Sequence, residues 1–432
     1  MEFDYVIVGG GSAGCALAAR LAENREARVC LIEAGGKGRN LFIRMPAGNG
    51  LVFGNAKLDW GFESVPQPAL NDRKIYFPRG RALGGSSIMN GMIYIRGVPQ
   101  DYDAWRESGL SGRGFSDLLP YFRRSQGAVD RKGVWHGVDG PVKTEASVNF
   151  GELEEAFIEA AVACGHQRLD DFNGLHRAGV GRTDSTVHRG IRQSSAISYL
   201  AKRPSNLKIL THRQAVRVIL EGGVAKGIET LGKEKIYARE EVILCQGAFG
   251  TPQTLMLSGI GPAAHLSQHG INAVVDLPGV GQSLADHVDV SMQYGSDRMD
   301  LSLARHQRLD RAAWLMARWL FNGSGPGGGA FFSSVIFHGL NDPVMPEFET
   351  FMTPMTVHEN MTDGDVEKAP LMQRLGRHLL VRGRQVAKPG VQIDINLERP
   401  KSLGTVCLAS ANPLDHPRID PRFFSHTDDL NA

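Results

Sequence analysis

The N-terminal segment constrains the fold of this chain most strongly. Residues 5–8, Tyr-Val-Ile-Val, predict a short strand, and residues 15–21 are small and typical of a helix. Between them Gly9, Gly11 and Gly14 stand at the dinucleotide-binding spacing. The first glycine allows a tight turn, the second lets the backbone approach a pyrophosphate, and the third lets helix and strand pack closely. The helix N-terminus at Ser12 and Ala13 would face the phosphates with unpaired N–H groups.

A second apolar strand, residues 28–32, ends at Glu33, about 20 residues after Gly14. A carboxylate at this position can accept hydrogen bonds from the ribose hydroxyls of FAD or NAD, and it repels the 2′-phosphate of NADP. The glycines alone would also fit an ordinary turn. Because strand, turn, helix, second strand and acid occur together, they predict a nucleotide site.

Length and charge narrow the class of protein. A chain of 432 residues exceeds the usual size of one hydrophobic core, so two domains are expected. The net charge of +2, without a dense basic stretch, argues against nucleic acid as a partner. Five cysteines without a CxxC pair argue against a zinc site or a disulfide framework, and no metal is expected.

The start of the chain and its longest apolar helix bear on location. The first strand begins almost at Met1, with no room for a signal peptide, so a cytoplasmic protein is expected. The apolar segment 312–321 is about half the length of a membrane span and contains an arginine. It therefore predicts a core or interface helix, with no transmembrane segment.

A second glycine cluster reveals a resemblance. Residues 80–87 read Gly-Arg-Ala-Leu-Gly-Gly-Ser-Ser, with Asn90, Tyr94, Gly97 and Asp103 in register. This segment resembles the first signature of the glucose-methanol-choline (GMC) oxidoreductases, which are FAD enzymes acting on alcohols. The resemblance implies that the segment wraps the flavin and the pyrophosphate, through Ala82, Leu83, Gly84, Gly85, Ser86, Asn90, Gly91 and Ile93.

One residue of this signature predicts how the flavin is held. Some family members bond the flavin to a histidine just before the signature asparagine, whereas this chain has Met89 there. Because a thioether cannot form that bond, FAD is predicted to be held non-covalently.

Two further segments extend the resemblance over essentially the whole chain. Residues 247–261 are similar to the second GMC signature, with Thr254 at a position where an aliphatic residue is usual. Residues 277–287 resemble a third family segment, although Ser283 and Ala285 replace the usual polar amides. By the same resemblance, the backbone of Val216 would meet the adenine.

The pattern of apolar residues completes the predicted architecture, which is α/β (α+β overall). A Rossmann-like FAD-binding domain with a β-meander is expected over 1–296, with a helical and loop insertion at about 101–190. A substrate domain built on an antiparallel sheet is expected over 297–432, incomplete at its C-terminus. Predicted elements are the meander strands 215–220, 225–230 and 234–238, a separate buried strand 241–245, an amphipathic helix over 150–164, strands 348–355 and 392–397, and a polar segment 358–389 that is helical in places. The glycine-rich residues 323–329 favour a surface connection over an active-site lid.

The resemblance implies an oxidoreductase acting on the CH–OH group of a primary or secondary alcohol, choline dehydrogenase-like or specific for aliphatic or aromatic alcohols. A hydride would pass to flavin N5, and oxygen, a quinone or a dye-like carrier would accept the electrons. Phe351, Met352 and Met355 hint at an apolar pocket, although such residues on a strand more often form core. Two rivals are a lyase or FAD-binding fragment without redox turnover and an NAD-dependent dehydrogenase, which the flavin-type signatures disfavour.

The catalytic base is expected to be missing. The family's proton acceptor is a histidine near the C-terminus, in a segment that contributes a strand under the flavin, and nothing here matches it. His287 and His426 are poor substitutes, the first in a supporting segment and the second at the start of an unfinished helix. The sequence therefore predicts a C-terminally truncated chain whose catalytic histidine lies beyond Ala432. Weak FAD binding and no turnover are expected.

Overall fold

A computed structural model describes residues 1–307, 309–339, 344–356 and 389–432. The polar segment expected to be helical in places, 358–389, lies outside the described residues except for Pro389. Within the described ranges, no helix combines the length and the apolar character that crossing a bilayer requires.

The helices follow the predictions closely where the apolar periodicity is strong. In chain order they are α1 Ser12–Leu21, α2 Leu41–Arg44, α3 Pro99–Glu107, α4 Phe115–Ser125, α5 Glu152–Ala163, α6 Ser195–Leu200, α7 Gly247–Leu257, α8 Ala263–Gln268, α9 Leu309–Asn322 and α10 Asp428–Asn431. Helix α5 confirms the amphipathic helix expected over 150–164. It stops before Gly165, whose φ of +97° favours glycine.

The strands form two large sheets and several two- and three-stranded ones. They are β1 Glu2–Val8, β2 Val29–Ile32, β3 Phe62–Glu63, β4 Tyr76–Phe77, β5 Gln126–Ala128, β6 Val142–Ala146, β7 Gly179–Arg182, β8 Asp184–Ser185, β9 Val187–His188, β10 Ile191–Arg192, β11 Leu207–Leu210, β12 Ala215–Glu221, β13 Val224–Thr230, β14 Lys235–Leu244, β15 Ile260–Gly261, β16 Val275–Asp276, β17 Val288–Gly295, β18 Ser334–His338, β19 Phe348–Thr353, β20 Gly390–Leu397, β21 Thr405–Cys407 and β22 Arg418–Asp420.

The first large sheet has the order β11-β2-β1-β14-β13-β12. Strand β1 pairs in parallel with β2 on one side and with β14 on the other, whereas β13 pairs antiparallel with both β12 and β14. Helices α1 and α6 pack on one face, around Ile7 and Leu31, and the meander closes the other face, around Val6 and Ile228. The predicted Rossmann-like sheet with a β-meander is therefore confirmed.

One boundary in this sheet was predicted wrongly. The sequence favoured two strands, at 234–238 and 241–245, but the structure has the single strand β14. Its first part pairs with β13 and its second part pairs with β1. The charged residues Arg239, Glu240 and Glu241 interrupt the apolar pattern, but they are exposed to solvent and the backbone continues through them.

The second large sheet is antiparallel and has the order β17-β20-β19-β18-β7. Strands β19 and β20 confirm the two strands expected near 348–355 and 392–397. The antiparallel sheet predicted for the substrate domain is thus present. Phe351 packs in the core of this sheet with Phe172, Val335 and Phe337. This is the core position that is more common for such a residue on a strand.

The second large sheet contains strands from both sides of the expected domain boundary at residue 296. Strands β7 and β17 precede this boundary but pair with strands that follow it. Near the C-terminus, Ile419 on β22 bridges to Ser64 and packs against Phe62 and Phe249. The division at 296 stays a prediction for the ranges 1–296 and 297–432.

The glycine-rich segment 323–329 is not a simple surface connection. Gly327, Gly328 and Gly329 are buried, and a Cβ atom on Gly327 would lie 2.3 Å from the side chain of Leu315. A Cβ atom on Gly190 would lie 1.8 Å from the carbonyl oxygen of Gly323. Glycine is needed here because this segment lies close to the backbone at Gly190 and to helix α9. Composition alone does not reveal this packing role.

Two carboxyl groups face each other at one end of the second sheet. Glu349 lies on β19 and Glu398 follows β20 directly. Burial and the charge of Glu398 raise the pKa of Glu349, and the Arg177 guanidinium opposes this shift. The Oε1 atom of Glu398 is buried without a hydrogen-bond partner, and Nδ1 of His287 lies 3.6 Å from it. Burial of the pair therefore costs least while Glu349 keeps its proton.

This pair predicts a pH-dependent stability. Because the folded-state pKa of Glu349 is raised to about 9, the wild-type chain loses stability as the pH rises from about 5 to about 9. In the variant Glu349→Gln the amide can donate to Glu398 at every pH. We expect thermal unfolding midpoints to be similar at pH 5 and the variant to be more stable at pH 8, by roughly 1–3 kcal/mol. The exposed control Glu26→Gln should show no such divergence; a variant less stable than wild type at pH 8 would contradict the shared proton.

Candidate functional site: a dinucleotide cavity

The first glycine turn has the geometry that its spacing predicts. Gly9 ends β1 with a φ of +99°, and a Cβ atom there would lie 2.5 Å from the carbonyl oxygen of Cys245. A Cβ atom on Gly14 would lie 1.9 Å from the carbonyl oxygen of Gly9. Helix α1 starts at Ser12, and Gly11 before it offers no side-chain cap. The first N–H groups of α1 therefore stay available to a ligand.

The second glycine cluster packs directly against the first. Gly84 donates its N–H to the carbonyl of Gly10 at 2.7 Å. A Cβ atom on Gly85 would lie 2.6 Å from the Cα atom of Gly11. A Cβ atom on Gly80 would lie 2.1 Å from the carbonyl oxygen of Gly85. The two motifs, far apart in the sequence, thus form one surface on which backbone atoms can approach a ligand closely.

Glu33 lies at the end of β2 and is 6% exposed. Its two carboxylate oxygens accept hydrogen bonds from the backbone N–H groups of Gly10, at 2.9 Å, and Gly35, at 2.8 Å. Burial raises the pKa of this carboxyl, and the two N–H donors oppose the shift. Each oxygen keeps a lone pair for a further donor such as a ribose hydroxyl.

These features surround one cavity of about 650 Å³. Of the predicted cofactor residues, those that line it are Gly9, Gly11, Ser12, Ala13, Glu33, Gly85, Ser86 and Val216. The cavity is therefore formed by the turn after β1, the end of β2, the second glycine cluster and the first residues of β12. This is the arrangement that binding of a dinucleotide requires.

The other predicted cofactor residues lie around the cavity rather than on its wall. Gly14 packs against Gly9, and Ala82 and Leu83 are buried in neighbouring cores. Gly84 holds the contact with Gly10 described above. A Cβ atom on Gly91 would meet Phe332 at 3.1 Å, and Ile93 bridges to Ser185 on β8 and packs against Val335 of the second sheet. Their role toward the flavin stays a prediction.

Asn90 is exposed and is held by a buried arginine that no sequence motif indicated. Arg192 has no exposed surface and donates to the backbone oxygen of Asn90 at 2.7 Å and to its Oδ1 atom at 2.8 Å. It also donates to Asn49. Burial lowers the pKa of Arg192 to about 9. Arg192 thereby fixes the orientation of the signature asparagine from about 100 residues away in the chain.

Several residues that line the cavity were not predicted. Phe62 and Phe249 meet edge to face with ring centroids 5.5 Å apart, and the Arg79 guanidinium lies 4.6 Å from the centroid of Phe249. The Arg81 guanidinium lies 4.7 Å from the centroid of Trp60. Arginines beside an aromatic wall suit a ligand that carries both phosphates and flat rings. Their adjacency to glycine motifs was visible in the sequence, but their convergence was not.

His416 is the one histidine among the described residues that lines this cavity, and its ring packs against Phe62 with centroids 4.7 Å apart. Neither histidine considered from the sequence does so. His287 lies 3.6 Å from Glu398, and His426 accepts from the backbone N–H of Asp428. No sequence pattern indicated the position of His416, because that position depends on the pairing of β22 with Ser64.

The absence of a metal site stays a prediction. Ligand atoms of His287, Glu349 and Glu398 lie within 4.8 Å of one another. The guanidinium of Arg177 lies beside these carboxyls and opposes the raised pKa of Glu349, so a cation already neighbours this cluster.

The parallel sheet, the two glycine motifs and the buried acid around one cavity define a dinucleotide-binding α/β protein. Residues 3–289 match the family model described as GMC oxidoreductase. The chain is 37% identical over 437 aligned residues to an oxygen-dependent choline dehydrogenase from Brucella anthropi, covering 99% of this chain and 75% of that protein. An enzyme of the same name from Photobacterium profundum is 36% identical, with 99% and 73% covered.

Comparison with solved structures points to the same class of protein. Pyridoxine 4-oxidase from Mesorbium loti superposes with a TM-score of 0.82 at 28% identity, covering 99% of this chain and 78% of that one. A formate oxidase superposes with a TM-score of 0.86 at 27% identity and the same coverage. The chain belongs to the GMC oxidoreductase family, as its signatures predicted. Family membership also confirms FAD as the predicted cofactor, and the cradle of glycines and the buried carboxylate fit this group.

Glu33 provides the sharpest test of the cavity. In Glu33→Gln one acceptor oxygen becomes a donor, so a ribose hydroxyl loses a charge-assisted bond. We expect the dissociation constant for FAD, measured by quenching of flavin fluorescence, to rise about 10- to 100-fold. The exposed control Glu240→Gln should leave the constant unchanged. Equal affinity of wild type and Glu33→Gln, with both folded by circular dichroism, would place the nucleotide elsewhere.

Proposed function

We propose that this chain binds FAD in the cavity between the two glycine motifs and belongs to an enzyme that oxidises the CH–OH group of an alcohol. The observation that carries this proposal is the convergence of Gly11, Gly85 and Glu33 on one cavity. When bound, FAD supplies the acceptor for the hydride at its N5 atom. The protein must bind the cofactor, orient the alcohol and receive the hydroxyl proton.

The chain's own groups suit distinct parts of the cofactor. The free N–H groups at the start of α1 and the backbone near Gly85 would hold the pyrophosphate. The arginines Arg79 and Arg81 line the same cavity and offset its negative charge. Glu33 would accept from the ribose hydroxyls, and the backbone of Val216 would meet the adenine.

The proposed substrate is an alcohol, and choline is the first compound to test. The relatives at 36–37% identity carry the name oxygen-dependent choline dehydrogenase, whereas the structural neighbours include a pyridoxine 4-oxidase and a formate oxidase. Phe351 and Met352 are buried, which weakens the expectation that they form an apolar pocket. Oxygen is the first electron acceptor to test, with a quinone or a dye-like carrier as alternatives. A cytoplasmic location stays a prediction.

Met89 supports non-covalent binding of FAD. It is 2% exposed and packs in a core with Ile43, Val52 and Ile88. Its thioether has no chemistry for a histidyl-type bond. We expect all flavin to leave the protein when FAD-loaded chain is precipitated with acid, as measured by absorbance of the supernatant. Apoprotein mixed with FAD after precipitation sets the baseline. Flavin that remains in the washed pellet would refute the proposal.

We further propose that the catalytic base is absent from the residues that the structure describes. Among the described histidines only His416 lines the cavity, and its ring packs against Phe62. Among the described strands, only β1 pairs with residues 239–244 of β14. Its open edge adjoins Leu244 and Cys245 on the cavity wall. The family resemblance expects a further strand under the flavin, and such an edge could receive it.

The expected result is therefore weak FAD binding and no turnover. The chain, loaded with excess FAD, is assayed with choline, linear alcohols and benzyl alcohol, using oxygen uptake and a dye acceptor. Turnover at about 1 to 1000 per second would contradict the proposal that the base is missing, especially if His416→Ala abolished this turnover.

Anaerobic reduction separates the redox proposal from its rival, a lyase or FAD-binding fragment of the same fold. Slow bleaching of bound flavin by an alcohol supports the oxidoreductase. Flavin that binds with normal affinity but stays oxidised with every alcohol, also in a full-length relative, would support the rival.

A further inference from the structure

Helix α9 is anchored to the protein by one of its faces. Leu315 and Trp319 are buried and pack against Met45. The indole N–H of Trp319 donates to the carbonyl oxygen of Gly190 at 2.6 Å. This anchoring fixes the orientation of the whole helix and determines which side chains point away from the protein.

The opposite face of α9 is apolar from Ala313 to Phe321, and the exposed Asp310 lies on the same side in the first turn of the helix. Trp314 is 55% exposed, Leu320 is 58% exposed and Phe321 is 91% exposed, and the exposed Ala313 and Ala317 lie between them. Spacings of one, four, seven and eight residues place these five side chains on one side of an α-helix. We call them the α9 ridge. A helix that is apolar on both faces is normally covered on both, and no described element covers this ridge.

Cations flank the ridge. Arg311 and Arg318 are exposed, and both lie on the same edge of the ridge. The Arg318 guanidinium lies 5.4 Å from the centroid of the Trp314 ring. Its Nε atom donates to Ser324 at 3.0 Å, which holds the side chain beside the ridge. An apolar ridge of Trp, Leu and Phe beside arginines is the pattern of a helix that lies in a membrane interface.

The charges discriminate between two covers for the ridge. A second copy of the chain, related by a two-fold axis, would bring Arg311 and Arg318 of both copies to the same interface, where like charges repel. An anionic lipid surface would instead attract both arginines while its acyl region takes up the apolar side chains. At about 21 Å for 14 residues, α9 is shorter than a bilayer core, so it would lie on the surface.

We propose that the α9 ridge binds the chain to anionic membrane surfaces. Phe321 and Leu320 enter the boundary between headgroups and acyl chains, Trp314 sits at headgroup level, and the two arginines contact the lipid phosphates. This inference is independent of the proposed alcohol oxidation, because it rests on a helix outside the dinucleotide cavity.

The test is co-sedimentation of the chain with vesicles. We expect binding to vesicles of 70% phosphatidylcholine and 30% phosphatidylglycerol, and weaker binding to phosphatidylcholine alone. The double variant Leu320→Ser/Phe321→Ser should lower the affinity for the anionic vesicles about tenfold or more. The double variant Arg311→Gln/Arg318→Gln should reduce the preference for anionic lipid, as should added salt. The matched control Leu175→Ser removes an equally exposed leucine, 65% exposed, and should bind like wild type.

Folding of each variant is checked by its thermal unfolding midpoint, which these exposed changes should leave within about 2 °C. Failure of the wild-type chain to sediment with anionic vesicles would overturn the proposal, as would equal binding by Leu320→Ser/Phe321→Ser. Analytical ultracentrifugation tests the alternative, in which a second copy of the chain packs against the ridge. A dimer that this double variant dissociates, without vesicle binding by the wild type, would assign the ridge to a second copy.

Discussion

The close contact between two glycine motifs determines the rest of this structure. Gly11 and Gly85 approach so closely that a Cβ atom on Gly85 would lie 2.6 Å from the Cα atom of Gly11. No other residue type allows this approach without moving a backbone. Because the contact joins the turn after β1 to the loop before the second sheet, it forms the cavity wall and also sets where the family's first signature lies relative to the Rossmann-like sheet.

Electrostatics complete the cavity that this contact forms. Glu33 is buried, yet two backbone N–H groups bind its oxygens, so the acid is held in one orientation, in which we propose that it accepts from a ribose. Arg79 and Arg81 lie on the same cavity wall as the backbone of the two glycine motifs. Arg192 holds Asn90 from a separate strand. The cavity thus combines one oriented acceptor with several cations, a distribution that suits a dinucleotide with its negative charge at the centre.

Local patterns in the sequence predicted the fold, and eight of the residues that they selected line the candidate cavity. The glycine spacing located the turn after β1, and hydrophobic periodicity located α5 and the meander, because both signals arise from neighbouring residues. The continuity of β14 was missed because exposed charges break its apolar pattern. His416 and Arg192 were missed because each reaches its place through pairing between distant segments. The packing of 323–329 was missed because glycine composition is the same in a flexible link and in a tight contact.

A crystal structure of the chain soaked with a high concentration of FAD tests the central claim most directly. We predict that the pyrophosphate lies between the backbones of Gly11 and Gly85, with the adenosine ribose within hydrogen-bond distance of Glu33. Density for the dinucleotide outside this cavity, or inside it with the ribose away from Glu33, would contradict the account of how the two glycine motifs build the site.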